Sequence, residues 1–355
     1  MNNPKTIIAL IIAALALPLS IHAQAAPTWV QNLEQAYPSR EWVAVTAQGT
    51  SQAQAENAAM NALAQAFKTN VASLTQSSQA FSQIVSEAAG KKSVAFDQSQ
   101  NFSQDVNTTT NVRGLIGVQT DIYRAPDRTV YVNARMNRRE SAARYSGMVR
   151  ENTAIIDRLL ADAVPITKAE IIISAFNSFE VYARLSFAHA IAQVTDNFHN
   201  ILEVLDPTAA NRRPGYGGAN AIKAKMLECA ALITIGIAVD TEQAADKTLF
   251  TRAAGSFFRD RGFKINEQGR GNYLLRANAR FEALGQNVIS CRYYLDSALE
   301  DQNGASLFSF TENDRKAHPN TVSEARRLAV RAVETSLKEG KFAREFDTWL
   351  NGLIE

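Results

Sequence analysis

The residues that most often carry chemistry are few in this chain. Beyond residue 25, the 355-residue sequence contains three histidines, His189, His199 and His318. His189 and His199 share one helical pattern, but neither has the histidine four residues away that a helical metal pair requires. No serine or cysteine lies in a recognisable nucleophile motif. We therefore predict a protein that is not an enzyme and has no metal or other cofactor, with His189 in its core or at an interface.

Two glycine-rich segments could be mistaken for ligand loops. Gly215-Tyr-Gly-Gly218 precedes a helical pattern, and a helix N-terminus attracts anions. The segment lacks the Gly-Lys-Ser/Thr ending of a phosphate loop and does not follow a strand. We interpret it as a flexible linker, and we interpret Gln268-Gly-Arg-Gly271 as a hairpin turn.

Charged residues collect near predicted strand ends and in one loop. The formal net charge of +2 provides no general attraction to nucleic acid, so we expect no nucleic-acid partner. In a chain of balanced charge, scattered carboxylates and arginines usually form solvated surface. A weaker hydrolase alternative would use Asp240 and Asp296. The charged residues considered are Glu41, Asp121, Asp240, Asp296, Asp301, Arg135, Arg138, Arg139, Arg212 and Arg213.

The sequence contains two cysteines, Cys229 and Cys291. In an oxidising compartment the pair could form one disulfide. The alternative is two buried thiols, because Cys229 ends a helical pattern and Cys291 lies on the apolar side of an alternating strand. Their wide separation, with no Cys-x-x-Cys, excludes a redox motif and a zinc site of the usual spacing.

The first residues indicate where the protein goes. Lys5 precedes an unbroken apolar run over 7–17, and small-x-small patterns then end at Ala23 and Ala25. This order is typical of a secretory signal peptide, and the run is about half the ~20 residues that span a bilayer. We predict a signal peptide over 1–25, cleaved after Ala23 or Ala25, and a periplasmic or otherwise secreted protein. We predict no transmembrane segment in the mature chain, which leaves peripheral membrane association open.

The remaining pattern predicts an α+β fold. Apolar residues recur with the periods of strands and helices in two parts of the chain, 27–137 and 216–355. Each part is therefore predicted to form a small module of an antiparallel sheet with helices. Residues 138–210 are helical and predict a long hairpin that joins the modules. Two turns, Ala125-Pro-Asp-Arg128 and Asn303-Gly304, are predicted to connect antiparallel strands.

The predicted hairpin contains a segment that is apolar on more than one side of its helix. Helices of this kind are buried or contact a partner. The segment either packs on the protein's own modules or forms an interface with an envelope protein. Its candidate interface residues are Ile171, Ile172, Phe176 and Phe179.

Several short elements near the N-terminus form a recognisable set. They are Pro27-x-Trp29, Ala36-Tyr-Pro38, Val43-Ala-Val45, Gly49, Ser51, the alanine-rich stretch to Phe67, Val130-Tyr-Val-Asn-Ala134, Arg138 and Tyr145. This set resembles the bacterial LPP-twenty family over about residues 27–146. The C-terminal part is similar to the second α/β module that often follows it in longer envelope proteins.

The resemblance implies an envelope-associated protein without known catalytic residues. Members of the family are commonly lipoproteins, whereas this chain has no cysteine near the predicted cleavage sites. We therefore expect an exported, non-enzymatic envelope protein that acts as a scaffold or assembly partner. The alternative is a periplasmic small-molecule or glycan binding protein, with its site near Arg135, Arg138 and the 211–218 loop.

Overall fold

The described part of the protein forms two compact units. The computed structural model describes residues 25–67, 115–163, 175–211, 214–284, 289–318 and 321–354. The first unit comprises residues 25–63 and 119–136, and the other described residues form the second. The signal-peptide prediction falls almost entirely outside the described residues. The module boundaries predicted at residues 137, 210 and 216 stay predictions.

The first unit contains a three-stranded sheet with β3 between β1 and β2. Its elements are α1 (Thr28–Gln31), α2 (Leu33–Ala36), β1 (Trp42–Gly49), most of α3 (Gln52–Ala66), β2 (Gln119–Arg124) and β3 (Val130–Asn137). Strands β2 and β3 are antiparallel, which confirms the turn predicted at 125–128. Arg128 has a φ of 71° there, and the Asp127 carboxylate accepts a hydrogen bond from the Thr129 N–H at 3.0 Å.

The second unit begins with paired helices. They are α4 (Arg138–Ala163), α5 (Ala175–Leu205), the short α6 (Pro207–Ala210) and α7 (Ala219–Ala230). Asn152 of α4 donates to the Thr195 hydroxyl of α5 at 3.0 Å, and the Tyr145 and Phe198 rings lie 5.4 Å apart. These pairs require α4 and α5 to run antiparallel, as the predicted hairpin does. None of the described helices has an apolar stretch that would suffice to cross a bilayer.

A five-stranded sheet forms the rest of the second unit, in the order β5-β4-β6-β7-β8. Its elements are β4 (Thr234–Thr241), α8 (Ala244–Asp260), β5 (Lys264–Asn266), β6 (Tyr273–Leu284), β7 (Ser290–Glu300), β8 (Ser306–Ala317), α9 (Val322–Glu339) and α10 (Lys341–Asn351). Strands β6, β7 and β8 are antiparallel, which confirms the turn at Asn303-Gly304. The α+β fold class is confirmed.

This larger sheet is mixed, whereas the sequence predicts an antiparallel one. Strand β4 pairs in parallel with β5 on one side and with β6 on the other. Helix α8 connects β4 to β5, and a connection through a helix returns the chain in the same direction. Alternation of apolar and polar residues reports which face is buried but not the direction of the neighbouring strand.

The glycine-rich turn after β5 is not a hairpin, contrary to the sequence-based interpretation. Since β5 and β6 lie on opposite sides of β4, residues 267–272 must cross β4 to connect them. A Cβ on Gly236 of β4 would lie 2.7 Å from the Gly269 carbonyl carbon and 2.8 Å from the Arg270 nitrogen. A Cβ on Gly271 would overlap the Thr234 carbonyl oxygen. Only glycines allow the two backbones to approach this closely.

The core of the second unit is a cluster of aromatic rings between the sheet and its helices. The Phe346 ring of α10 lies 5.4 Å from Phe257, 5.3 Å from Phe258 and 5.5 Å from Phe308, each near-perpendicular. Edge-to-face contacts of this kind stabilise beyond simple burial by roughly 0.5–1.5 kcal/mol per pair. Phe346 thereby ties α10 to both α8 and β8.

We expect Gly236→Ala to destabilise the protein by roughly 1–3 kcal/mol, since its methyl group would overlap backbone that cannot rotate away. Denaturant unfolding monitored by circular dichroism measures the change. Gly215→Ala is the matched control, because a Cβ there meets open space. Equal stability of the two variants would contradict the proposed crossing contact.

Candidate functional site

Two of the arginines predicted from the sequence, Arg135 and Arg138, are engaged within their own units, whereas Arg212 and Arg213 lie outside the described residues. In the first unit, Arg135 forms an ion pair with Asp121, and its guanidinium lies 4.5 Å from the Tyr37 ring centroid. Tyr37 also donates to Asp121 at 2.8 Å. In the second unit, Arg138 donates to the Val204 carbonyl, at the C-terminal end of α5. Both guanidinium groups therefore stabilise the fold, which argues against a glycan site formed by these two arginines.

The predicted carboxylates Asp240 and Asp296 lie on one exposed face of the large sheet. They occupy a single cross-strand row, in which Asn278 of β6 pairs with Asp240 of β4 and with Asp296 of β7. Two strand spacings put their backbones about 9–10 Å apart. Asp296 is ion-paired with Arg280 at 3.3 Å. The structure thus brings the two residues to one face, with one of them neutralised by an arginine.

We call this surface the outer face. It contains a cleft of about 450 Å³ between β4, β6, β7 and β8. Its charges alternate in sign, as in the pair of Arg276 with Glu300 at 2.8 Å. The Arg280 guanidinium also lies 5.6 Å from the Tyr294 ring centroid. The exposed side chains of the outer face include Asp240, Arg276, Asn278, Arg280, Arg292, Ser309, Thr311 and Asn313.

Both cysteines are free thiols in the structure and both are buried. Cys229, at the end of α7, lies with its sulfur 3.7 Å from the Ser178 carbonyl oxygen of α5. Burial raises the pKa of its thiol to about 11. Cys291 lies within β7, opposite Ala283 of β6. This arrangement corresponds to the buried-thiol alternative, and a thiol of raised pKa reacts slowly.

The candidate interface residues of the helical hairpin are only partly described. Ile171 and Ile172, and the side chain of Phe176, lie outside the described residues. Phe179 is 1% exposed, and its ring lies 4.7 Å from Tyr273 and 5.4 Å from Trp349. Phe179 therefore packs within its own unit and does not form an exposed interface.

A second cleft, of about 550 Å³, lies where α5 meets the N-terminus of α7. The glycine-rich segment interpreted as a flexible linker forms one wall. Gly217 and Gly218 have φ values of 78° and 90°, which favour glycine. Tyr216 is buried, and its hydroxyl donates to the Asp196 carboxylate at 3.0 Å. The segment is therefore held in place by α5.

Asp196 also explains why this loop is not a phosphate site. Its second carboxylate oxygen accepts a hydrogen bond from the Ala219 N–H at 2.8 Å, in the first turn of α7. An acidic group at this position is stabilised by the helix dipole. The place that an anion would take at the helix N-terminus is thus already filled by a carboxylate. Burial, and secondarily the negative charge of Asp196, raises the pKa of Tyr216.

His199 is the unusual residue of the cleft. It lies on α5 one turn after Asp196 and is only 7% exposed. Neither ring nitrogen has a hydrogen-bond partner among the described residues. A buried polar group without a partner costs about 1–3 kcal/mol. His199 lines the cleft together with Asp196 and Tyr216, and Asn200 and Asn220 are exposed beside it.

His189 is the satisfied histidine that the sequence predicts. Its Nδ1 lies 3.0 Å from the Ala219 carbonyl oxygen, and a carbonyl only accepts, so this nitrogen carries the hydrogen. Burial lowers the pKa of His189 from 6.5, and the hydrogen bond to Ala219 opposes that shift. His189 thus fixes α7 against α5 in its neutral form.

Asp196 and Tyr216 were not identified from the sequence as residues of a site. The available signal was the spacing Asp196-x-x-His199, which puts both side chains on one helix face. A second signal was the position of Tyr216 directly before two glycines and a helix. Neither signal indicates that the two segments meet.

Comparison with known proteins shows little close similarity. No family model and no curated protein matches the chain. Several solved structures are similar in part, and three illustrate the similarity. The first is a minor lipoprotein of Acinetobacter baumannii (14% identity, 32% of this chain and 91% of that chain, TM-score 0.24). The second is a Caulobacter crescentus protein described as a lipoprotein (18% identity, 33% and 91%, TM-score 0.24).

The third is a secreted protein of Helicobacter pylori, at 11% identity with 83% of this chain and 97% of that chain covered and a TM-score of 0.30. By description, two of the three are lipoproteins and one is a secreted protein. Superpositions at these scores do not establish a common fold. The resemblance to the LPP-twenty family therefore stays a prediction.

We expect His199→Leu to raise the free energy of unfolding by about 1 kcal/mol, since leucine fills a similar volume and leaves no buried polar atom unpaired. Denaturant unfolding measures the change, with Gln193→Leu at an exposed position of the same helix as the control. A loss of stability of that size in His199→Leu would mean that the imidazole is paired in solution.

The lowered pKa of His189 predicts a pH dependence. The unfolded imidazole binds a proton more readily than the folded one, so the free energy of unfolding decreases as the pH falls below 6.5. His189→Gln removes this contribution, and its unfolding free energy falls less over the same interval. Unfolding curves of both proteins, measured between pH 7.5 and about 5, test this difference in pH dependence. Identical pH profiles for the two proteins would contradict it.

Proposed function

We propose that this protein is an exported, non-enzymatic component of the bacterial cell envelope that acts as a scaffold or assembly partner. Its outer face would bind another envelope protein. The observation that carries the export part is the N-terminal segment, with its basic residue, apolar run and small-x-small cleavage patterns within residues 1–25.

The chemistry of the outer face supports binding to a protein. Its arginines and carboxylates neutralise one another in cross-strand pairs, as Arg276 does with Glu300 and Arg280 with Asp296. A face of alternating charge has little attraction for a polyanion, whereas it can pair with a protein surface of complementary pattern. Tyr294 adds an aromatic group of the kind enriched at protein interfaces.

A non-enzymatic role is supported by the contacts of three of the carboxylates considered as candidates from the sequence. Asp121 and Arg135 pair with each other, Asp296 pairs with Arg280, and Asp301 accepts from the Asn303 and Ala305 N–H groups of its turn. Each of these groups has a local structural role. An ion pair or a turn hydrogen bond is sufficient reason for their presence.

A photo-crosslinking amino acid placed in the outer face tests the proposal. At Asn278 or Thr311 we expect a discrete adduct with an envelope protein in intact cells, because both positions are exposed on the outer face. Arg331, exposed on α9, is the matched control and should give none. Cell fractionation and N-terminal mass spectrometry accompany the experiment and should find an envelope protein that begins at Gln24 or Ala26.

Two outcomes would overturn the proposal separately. Retention in the cytoplasm with residues 1–25 intact would refute export. Equal crosslinking from Arg331 and Asn278, or none from either outer-face position, would refute the outer face as the binding surface.

A further inference from the structure

We infer that the cleft between α5 and the N-terminus of α7 is a binding site for a neutral, hydroxyl-rich ligand of sugar size. His199 and Asp196 would be its hydrogen-bonding groups. This site is separate from the outer face, and the inference does not depend on the proposed partner binding. It rests on three observations: a cleft, a helix N-terminus, and a buried imidazole that has no partner among the residues the structure describes.

The cleft has the size and the fixed polar groups of a ligand-binding pocket. Its volume of about 550 Å³ lies within the ~300–1,000 Å³ typical of ligand pockets. Asp196, Tyr216 and the Ala219 N–H hold one another in a fixed arrangement through bonds of 3.0 and 2.8 Å. Fixed polar groups around a preformed cavity are what orient a small ligand.

The requirements of His199 indicate the chemical class of the ligand. A neutral imidazole has one N–H donor and one nitrogen acceptor, and here both lack a partner among the described residues. A hydroxyl group can donate and accept at once. A ligand hydroxyl can therefore pair with the imidazole as donor or as acceptor, whichever tautomer is present, and further hydroxyls of the same ligand can reach the exposed Asn200 and Asn220 amides.

The carboxylate of Asp196 disfavours anionic and cationic ligands. Among the described residues that line the cleft it is the charged one, so an anion would meet a carboxylate. The first-turn N–H of Ala219 and the Tyr216 hydroxyl already bond to this carboxylate, which offsets part of its attraction for a cation. An ammonium group supplies only donors, so it could pair with the imidazole acceptor nitrogen but not with the N–H, whereas a hydroxyl can pair with either. A neutral hydroxyl donor can still bond to the remaining lone pairs of Asp196.

The test uses the purified protein and a panel of neutral sugars: glucose, galactose, N-acetylglucosamine and maltose. Inorganic phosphate and ethanolamine are the anionic and cationic probes. Saturation-transfer NMR and calorimetry should detect binding of at least one sugar, accompanied by a shift of the His199 ring nitrogen resonances. These resonances are assigned by their absence from His199→Leu.

The variants separate the site from non-specific binding. His199→Leu should weaken the affinity for that sugar about tenfold, because a hydrogen bond to the imidazole is lost. His199→Gln keeps one donor and one acceptor and should retain more of the affinity than His199→Leu. Gln193→Leu, on an exposed part of the same helix, should bind as the unmodified protein does.

Three results would overturn the inference. No binding of any panel sugar would refute a sugar site. Equal affinity of His199→Leu and the unmodified protein would place the binding elsewhere. Binding of phosphate or ethanolamine without any sugar would refute the ligand class while keeping the cleft as a site.

Discussion

The larger sheet depends on one steric constraint, the crossing of β4 by the chain between β5 and β6. Six residues, 267–272, take the backbone from one side of β4 to the other. The crossing requires that neither Gly236 nor Gly271 has a side chain at the contact. Because β6 starts from this crossing, it pairs in parallel with β4, and the antiparallel strands β7 and β8 are then built on β6. The outer face, with its alternating charges, exists because this order puts polar residues of four strands side by side.

The aromatic core fixes the helices against the larger sheet. Phe346 of α10 contacts rings of α8 and β8, and Phe179 joins α5 to β6 through Tyr273. Helix α5 is thereby fixed at one end by the sheet. Its antiparallel partners α4 and α7 then pack along it through Asn152 and Asp196. The sugar-sized cleft lies on the same helix, so its geometry is supported by the packing of the core.

The cleft differs from the core in how its polar groups are satisfied. His189 bonds to the Ala219 carbonyl and Asp196 to the Ala219 N–H, and together they secure the first turn of α7. His199, one turn after Asp196, is buried and has no such partner in the part of the chain that the structure describes. Proteins commonly depart from full polar satisfaction at functional sites, where a ligand completes the set. Stability and binding thus place different requirements on neighbouring residues of one helix face.

Periodicity and turn chemistry by themselves determined the fold class, the presence of an antiparallel helical pair within 138–210, and the hairpins at 125–128 and 303–304. They also identified His189 as a satisfied histidine. These features depend on contacts between residues close in sequence, or on which face of an element is apolar. The tertiary structure alone decided the parallel pairing of β4, the crossing at Gly236, and the meeting of Asp196 with Tyr216 and α7. Each of these depends on which elements become neighbours, and a pattern along one element does not encode its neighbour. The isolation of His199 belongs to this second group, since a missing partner becomes visible only when all surrounding groups are in place.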